Sequence, residues 1–133
     1  TFLCKEINFV IKKEYYNFLT TNFFNSLGGR PIDRNGNMNS VEKISEMFKN
    51  NEIFRIAIAP EGTRKLVDNW KTGFYHIALK ANCKILPVAF DWKKREVKIF
   101  EVFTPTNNFT NDLKFLKSLF KGVKGKIPEN SNL

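Results

Sequence analysis

The chain has 133 residues, 42% hydrophobic and 26% charged, with fourteen phenylalanines and a formal net charge of +9. That balance excludes a disordered chain, and the length allows one domain with a real core. The positive excess fits nucleic acid, an anionic lipid surface or a phosphorylated small molecule, and charge alone does not choose among them.

In chain order, Asn8–Ile11 is predicted as a short strand, because Phe9, Val10 and Ile11 favour extended backbone. Tyr15–Leu27 is predicted as a helix. Tyr15, Phe18, Leu19, Phe23 and Leu27 recur at helical spacing, and Tyr16 and Phe24 widen the stripe. The simpler reading turns that stripe to the core; part of it can instead touch lipid. Gly28 and Gly29 end the helix, and Arg30–Arg34 is a very short extended segment. Asn35–Met38 is a polar turn. Asn39 with Glu42 three residues on resembles a capping box for a helix that buries Val41, Ile44, Met47 and Phe48 and is closed by Asn50 and Asn51.

Ile53, Phe54, Ile56, Ala57 and Ile58 then read as a buried strand that runs into Pro60-Glu61-Gly62-Thr63-Arg64. Ligands of open α/β sheets sit outside the carboxyl ends of strands. Arg64 offers a planar fork of donors suited to phosphate or carboxylate, with Lys71 and Gly73 following. The same letters also fit a plain Pro-Gly turn with a surface ion pair. Gly73–Ala81 is predicted as a helix with Phe74, Ile77 and Ala78 inward. Ile85–Trp92 and Glu96–Phe103 are predicted as a hairpin around the basic turn Lys93-Lys94-Arg95, with Pro87 near the first strand's start. Thr110 or Asn111 is expected to cap a last helix bearing Leu113, Phe115, Leu116, Leu119 and Phe120 with Lys114, Lys117 and Lys121 among them. Residues 122–133 read as a loosely held C-terminal tail, leaving 1–121 as the domain proper.

Alternating strands and helices place the chain in the α/β class: a mixed, mostly parallel sheet flanked by helices, with a C-terminal β-hairpin. Cys4 and Cys83 have no metal-ligand spacing and suggest no disulfide framework, which points to a reducing compartment. No His, Cys or carboxylate cluster has ligand spacing, and no cofactor is expected. No apolar run reaches bilayer length and no signal peptide is visible. The abrupt start at Thr1-Phe2-Leu3-Cys4, without methionine, reads as a piece of a longer protein.

Three stretches together resemble the glycerolipid acyltransferases, the lysophosphatidic acid acyltransferase-like family. Gly28-Gly29-Arg30-Pro31-Ile32-Asp33-Arg34 resembles the family's second block. Pro60-Glu61-Gly62-Thr63-Arg64 matches its third block letter for letter, and Ile85-Leu86-Pro87-Val88-Ala89-Phe90 resembles its fourth. Lys12-Lys13-Glu14 resembles the lead into the second block, and Lys71-Thr72-Gly73 resembles the lysine-x-glycine that follows the third. Order and separation fit as far as the last helix.

The resemblance implies a glycerol-3-phosphate acyltransferase-like fold. It also implies transfer of a fatty acyl group from acyl-CoA or acyl carrier protein to a hydroxyl of a glycerol phosphate or lysophospholipid, such as lysophosphatidic acid, in phospholipid biosynthesis. The acceptor's phosphate falls to Arg34 and Arg64, helped by Lys12. Glu61 orients the loop or Arg64, Gly62 lets the backbone come close, and Thr63, Lys71 and Gly73 complete the substrate-binding set. The expected place is peripheral, on the cytoplasmic face of the membrane, against an anionic surface.

In two respects the chain departs from the family. The family's general base is the histidine of a His-x-x-x-x-Asp motif, expected before Lys12, and no histidine stands there. His76 is the one histidine, and the residue five positions on is Ala81. The catalytic pair is therefore not in these residues, and the chain alone is expected to be inactive. Arg30, where apolar residues are often found in the second block, is expected to face solvent. The alternative is a non-catalytic relative that binds lipid or a membrane surface. Nucleic acid is not expected as a partner, because most phenylalanines fall at core-like spacing rather than interleaved with basic residues.

Overall fold

The structure is a computed structural model and describes residues 7–32, 39–63, 65–127 and 129. The chain divides into two compact units at the Ala59–Pro60 junction.

The first unit is a three-stranded parallel sheet in the order β2-β1-β3, with β1 Asn8–Lys12, β2 Gly29–Ile32 and β3 Ile56–Ala57. β1 lies in the middle. Phe9 stands opposite Gly29 and Lys12 opposite Ile32 on one side; Asn8 stands opposite Ile56 on the other. Asn8 ties the three strands together from a buried position. Its backbone N–H and its side-chain amide both donate to the Arg55 carbonyl, at 2.8 and 3.1 Å, and its Oδ1 accepts from Arg30 Nε at 2.9 Å. Arg30 is exposed, as expected, but it also clamps β2 to β1.

α2, Ser40–Lys49, starts where the capping pattern puts it: Asn39 accepts from the Glu42 N–H at 2.9 Å. Ile44 and Ser45 face the core, and Phe48 meets Phe54 edge to face at 4.9 Å. Gly28 has φ +84°, and a Cβ there would stand 2.8 Å from the Ile7 carbonyl oxygen. Backbone cannot yield as a side chain can, so glycine is required where α1 turns into β2.

Two expectations for this unit are corrected. The helix expected over Tyr15–Leu27 is a 3₁₀ turn at Lys13–Tyr15, a polar turn, and only then α1, Thr21–Ser26. Asn17 is the cause. Its Oδ1 accepts from the N–H groups of Leu19 and Thr20, both at 3.0 Å, and its carbonyl takes the Thr21 hydroxyl. Such local bonds compete with helix. The stripe expected to be buried is therefore open, with Phe18 96% exposed and Tyr15, Leu19, Phe23 and Leu27 also exposed. Tyr16 and Phe24 are the half-buried pair, ring to ring at 5.6 Å. Second, the strand expected from Ile53 is only Ile56–Ala57. β1 offers pairing to those two residues alone, and Ile53 is exposed. The segment Asp33–Met38, with the end of the expected extended segment and the polar turn, lies outside the described residues.

The second unit runs from the Pro60 loop through α3 Gly73–Lys80, β4 Val88–Asp91, β5 Glu96–Ile99 and α4 Phe109–Leu119. β4 and β5 form the antiparallel hairpin, with Val88 opposite Ile99 and Asp91 opposite Glu96. A further bridge joins Ile85 and Phe103. The core is Tyr75, Ile77, Ala78, Ala89, Leu116 and Val123. Pro87 sits just before β4, where its missing N–H costs no ladder bond. Asn108, not Thr110 or Asn111, caps α4: its Oδ1 accepts from the Asn111 N–H at 3.2 Å. Residues 122–124, expected to be loose, are tied down by the burial of Val123 and by a 2.9 Å bond from the Trp92 N–H to the Lys124 carbonyl.

Parallel strands flanked by helices and an antiparallel C-terminal pair make this an α/β fold. Among the described residues no helix is long and apolar enough to cross a membrane.

Candidate functional site

The loop between Pro60 and α3 is built around one close approach. The Lys71 N–H donates to the Pro60 carbonyl at 2.8 Å and closes the loop at its base. Gly62 has φ +65°, and Lys71 folds across it. A Cβ on Gly62 would lie 2.9 Å from Lys71 Cδ and 3.1 Å from Nζ. A bare glycine is what lets the ammonium rest against the loop backbone. Thr63 Oγ accepts from the Lys65 N–H at 3.2 Å, which fixes the turn there. Gly73 is the first residue of α3, with Thr72 at the cap position.

Glu61 is half-buried and faces a cleft of about 250 Å³ whose other walls are Val67, Asp68, Trp70, Lys117, Ser118 and Lys121. Trp70 is its aromatic floor. It packs edge to face on Phe120 at 5.3 Å and on Phe74 at 6.2 Å, and Lys117 Nζ stands 6.0 Å from its ring centre. The cleft thus brings two lysines, two carboxylates and an aromatic ring together. It suits a ligand with both charged and apolar parts better than a simple anion.

Of the predicted set, Gly62 and Lys71 are brought into contact, with Glu61 and Thr63 on the same loop and Gly73 opening α3 after it. Lys12 belongs to the first unit, exposed at the carboxyl end of β1. Arg34 and Arg64 lie outside the described residues. Trp70, Lys117 and Lys121 are neighbours of Glu61 that sequence reasoning missed. It read α4 as a basic amphipathic segment, whereas Lys117 is half-buried over Trp70. The signal was a tryptophan directly before the loop lysine, which needs cover from somewhere.

His76 is exposed on α3 and stacks on Phe109 with rings 6.0 Å apart and 13° from parallel. It lines no part of the cleft. Cys83 is half-buried, and burial pushes its thiol up, away from the reactive thiolate. No group of His, Cys, Asp or Glu among the described residues is arranged to hold a metal ion.

A family model described as Acyltransferase matches residues 2–91. The chain belongs to the acyltransferase family. The matched part of this acyltransferase runs through the Pro60–Arg64 loop and α3 to the end of β4; β5 and α4 lie beyond it. No curated protein and no solved structure matches the chain.

Proposed function

We propose that this acyltransferase moves a fatty acyl group from an acyl thioester, acyl-CoA or acyl carrier protein, to a hydroxyl of a glycerol phosphate or lysophospholipid, as in phospholipid biosynthesis. The loop from Pro60 to Lys71 takes the acceptor's phosphate. The observation that carries the reading is the Lys71 ammonium folded over Gly62, on the loop that bears Arg64. A phosphate monoester requires charge-assisted donors, and a lysine with an arginine on one glycine-relaxed loop supplies them. Glu61 orients the loop and does no chemistry. The protein works at the cytoplasmic surface of a membrane, held peripherally, because its substrates are there.

The histidine and aspartate that would activate the acceptor hydroxyl are not among these 133 residues. By themselves these residues hold substrate and do not turn it over. That is also what favours a second reading, a lipid-binding relative without catalysis.

Binding separates the phosphate claim from mere greasiness. Titrated with lysophosphatidic acid and with the monoacylglycerol of the same chain, the protein should bind the former at least tenfold more tightly, since a charge-assisted hydrogen bond contributes roughly 1.5–3 kcal/mol. Equal affinity for both would remove the phosphate site from the account.

A further inference from the structure

Surface hairpins ordinarily turn apolar residues inward and polar ones to water. The β4–β5 hairpin does the reverse. Directly opposed residues share a face, so Phe90 with Val97 and Val88 with Ile99 project to one side, Ala89 with Lys98 and Asp91 with Glu96 to the other. Ala89 and Asp91 are buried, so the second side is the inner one. The outer side is apolar and open: Phe90 is 64% exposed, Ile99 69% and Val97 57%; Trp92, 54% exposed, follows β4 at the start of the turn. A contiguous patch of this kind marks a surface that meets something.

Its rim says what. The turn at its end is Lys93-Lys94-Arg95, all three exposed. Lys126 Nζ lies 5.3 Å from the centre of the Trp92 ring. The two carboxylates within the paired strands, Asp91 and Glu96, fall on the inner side and share one lysine: Lys98 stands 3.6 Å from Asp91 and 3.3 Å from Glu96. Apolar side chains inside a basic rim, with a tryptophan at the boundary, match the interface of an anionic bilayer. A second copy of the chain would instead press two basic rims together, which like charges oppose.

We propose that the outer face of this hairpin, Phe90, Trp92, Val97 and Ile99, with the turn Lys93–Arg95, is the surface by which the protein docks on anionic lipid. It rests on the peripheral-membrane part of the proposed function and is independent of acyl transfer.

The test is cosedimentation with vesicles of phosphatidylcholine, with and without phosphatidylglycerol, together with Trp92 fluorescence in a Trp70→Phe background. The protein should sediment with the anionic vesicles and only weakly with the neutral ones. Trp92 emission should shift to the blue and be quenched by brominated acyl chains. Lys93→Glu with Lys94→Glu should lower partitioning on the order of tenfold or more, and so should Phe90→Ser with Ile99→Ser. Quenching with the hairpin intact keeps the test independent of how the substituted hairpins fold. Failure to sediment with anionic vesicles would overturn the docking surface and the peripheral placement together. Sedimentation with unshifted, unquenched Trp92 and unaffected variants would overturn the surface alone. A concentration-dependent Trp92 shift without lipid would assign the face to a second copy. Acyl transfer is untouched by any of these outcomes.

Discussion

Asp112→Ala is expected to destabilise the second unit by about 3 kcal/mol, lowering its melting temperature on the order of 15 °C. Asp112 is 4% exposed and accepts three hydrogen bonds. Tyr75 Oη–H donates at 2.7 Å, the Thr106 N–H at 2.7 Å and the Thr106 hydroxyl at 2.6 Å. Together they pin the start of α4 to α3 and to the strand-to-helix connection. Alanine would strand the Tyr75 hydroxyl in a buried place with no acceptor, and that penalty exceeds the value of the bond itself. Tyr75→Phe removes donor and need together, so it should cost only about 1 kcal/mol. A melting temperature for Asp112→Ala within a few degrees of the parent would refute the network's role.

The same groups set the pH limits. Burial pushes the Asp112 carboxyl up, but the Thr106 and Tyr75 bonds outweigh it and leave it below the ordinary carboxylate range. Asp91 goes the same way: burial raises it, and the Lys94 N–H and the Lys98 charge bring it down further. A depressed folded value means stability that is full above the unfolded carboxylate value, about 3.9, and is lost as pH falls through the folded one. Tyr75 is the opposite case. Burial, then the Asp112 bond, pushes it from 10.0 up to about 12. Its contribution is full below pH 10.0 and is lost as pH rises toward 12. Melting against pH should therefore give a plateau that falls at both ends, with the acid limb shallower in Asp112→Ala.

Arg64→Ala is expected to weaken binding of lysophosphatidic acid by ten- to hundredfold with no change in melting temperature, the worth of a charge-assisted fork on phosphate. Arg64→Lys should recover only part of it, because a point charge replaces two parallel donors. Lys71 lies against Gly62 and contributes charge to the same loop, so Lys71→Ala should weaken binding in the same direction. The three variants should leave monoacylglycerol binding alone. Equal losses for both lipids would mean that the loop shapes the protein and does not read the phosphate.

How much of this was legible depends on which interactions are local. The Asn39 cap, the glycine at position 28 and the hairpin around Lys93–Arg95 rest on neighbours in sequence, and each stands where its letters place it. The helix over Tyr15–Leu27 failed because its apolar spacing outvoted one asparagine, while in the fold Asn17 captures the backbone first. The cap of α4 was misplaced among several cap-forming residues between Asn107 and Asn111; only the bond to the Asn111 N–H selects Asn108. Asp112 and Asp91 carry no periodic signal, since a buried carboxylate is recognisable only once its donors have been brought to it from elsewhere. At the site, the family's letters marked the loop. The wall that α4 adds beside Glu61 lies beyond the matched residues and follows from tertiary packing on Trp70.

The most direct measurement is acyl transfer itself, on the protein as its native source makes it, with a labelled acyl thioester and lysophosphatidic acid. The account predicts a diacylated phosphate product. Lipid binding by the native protein with no transfer to any glycerol phosphate or lysophospholipid would contradict it, and would leave a lipid-binding member of the acyltransferase family.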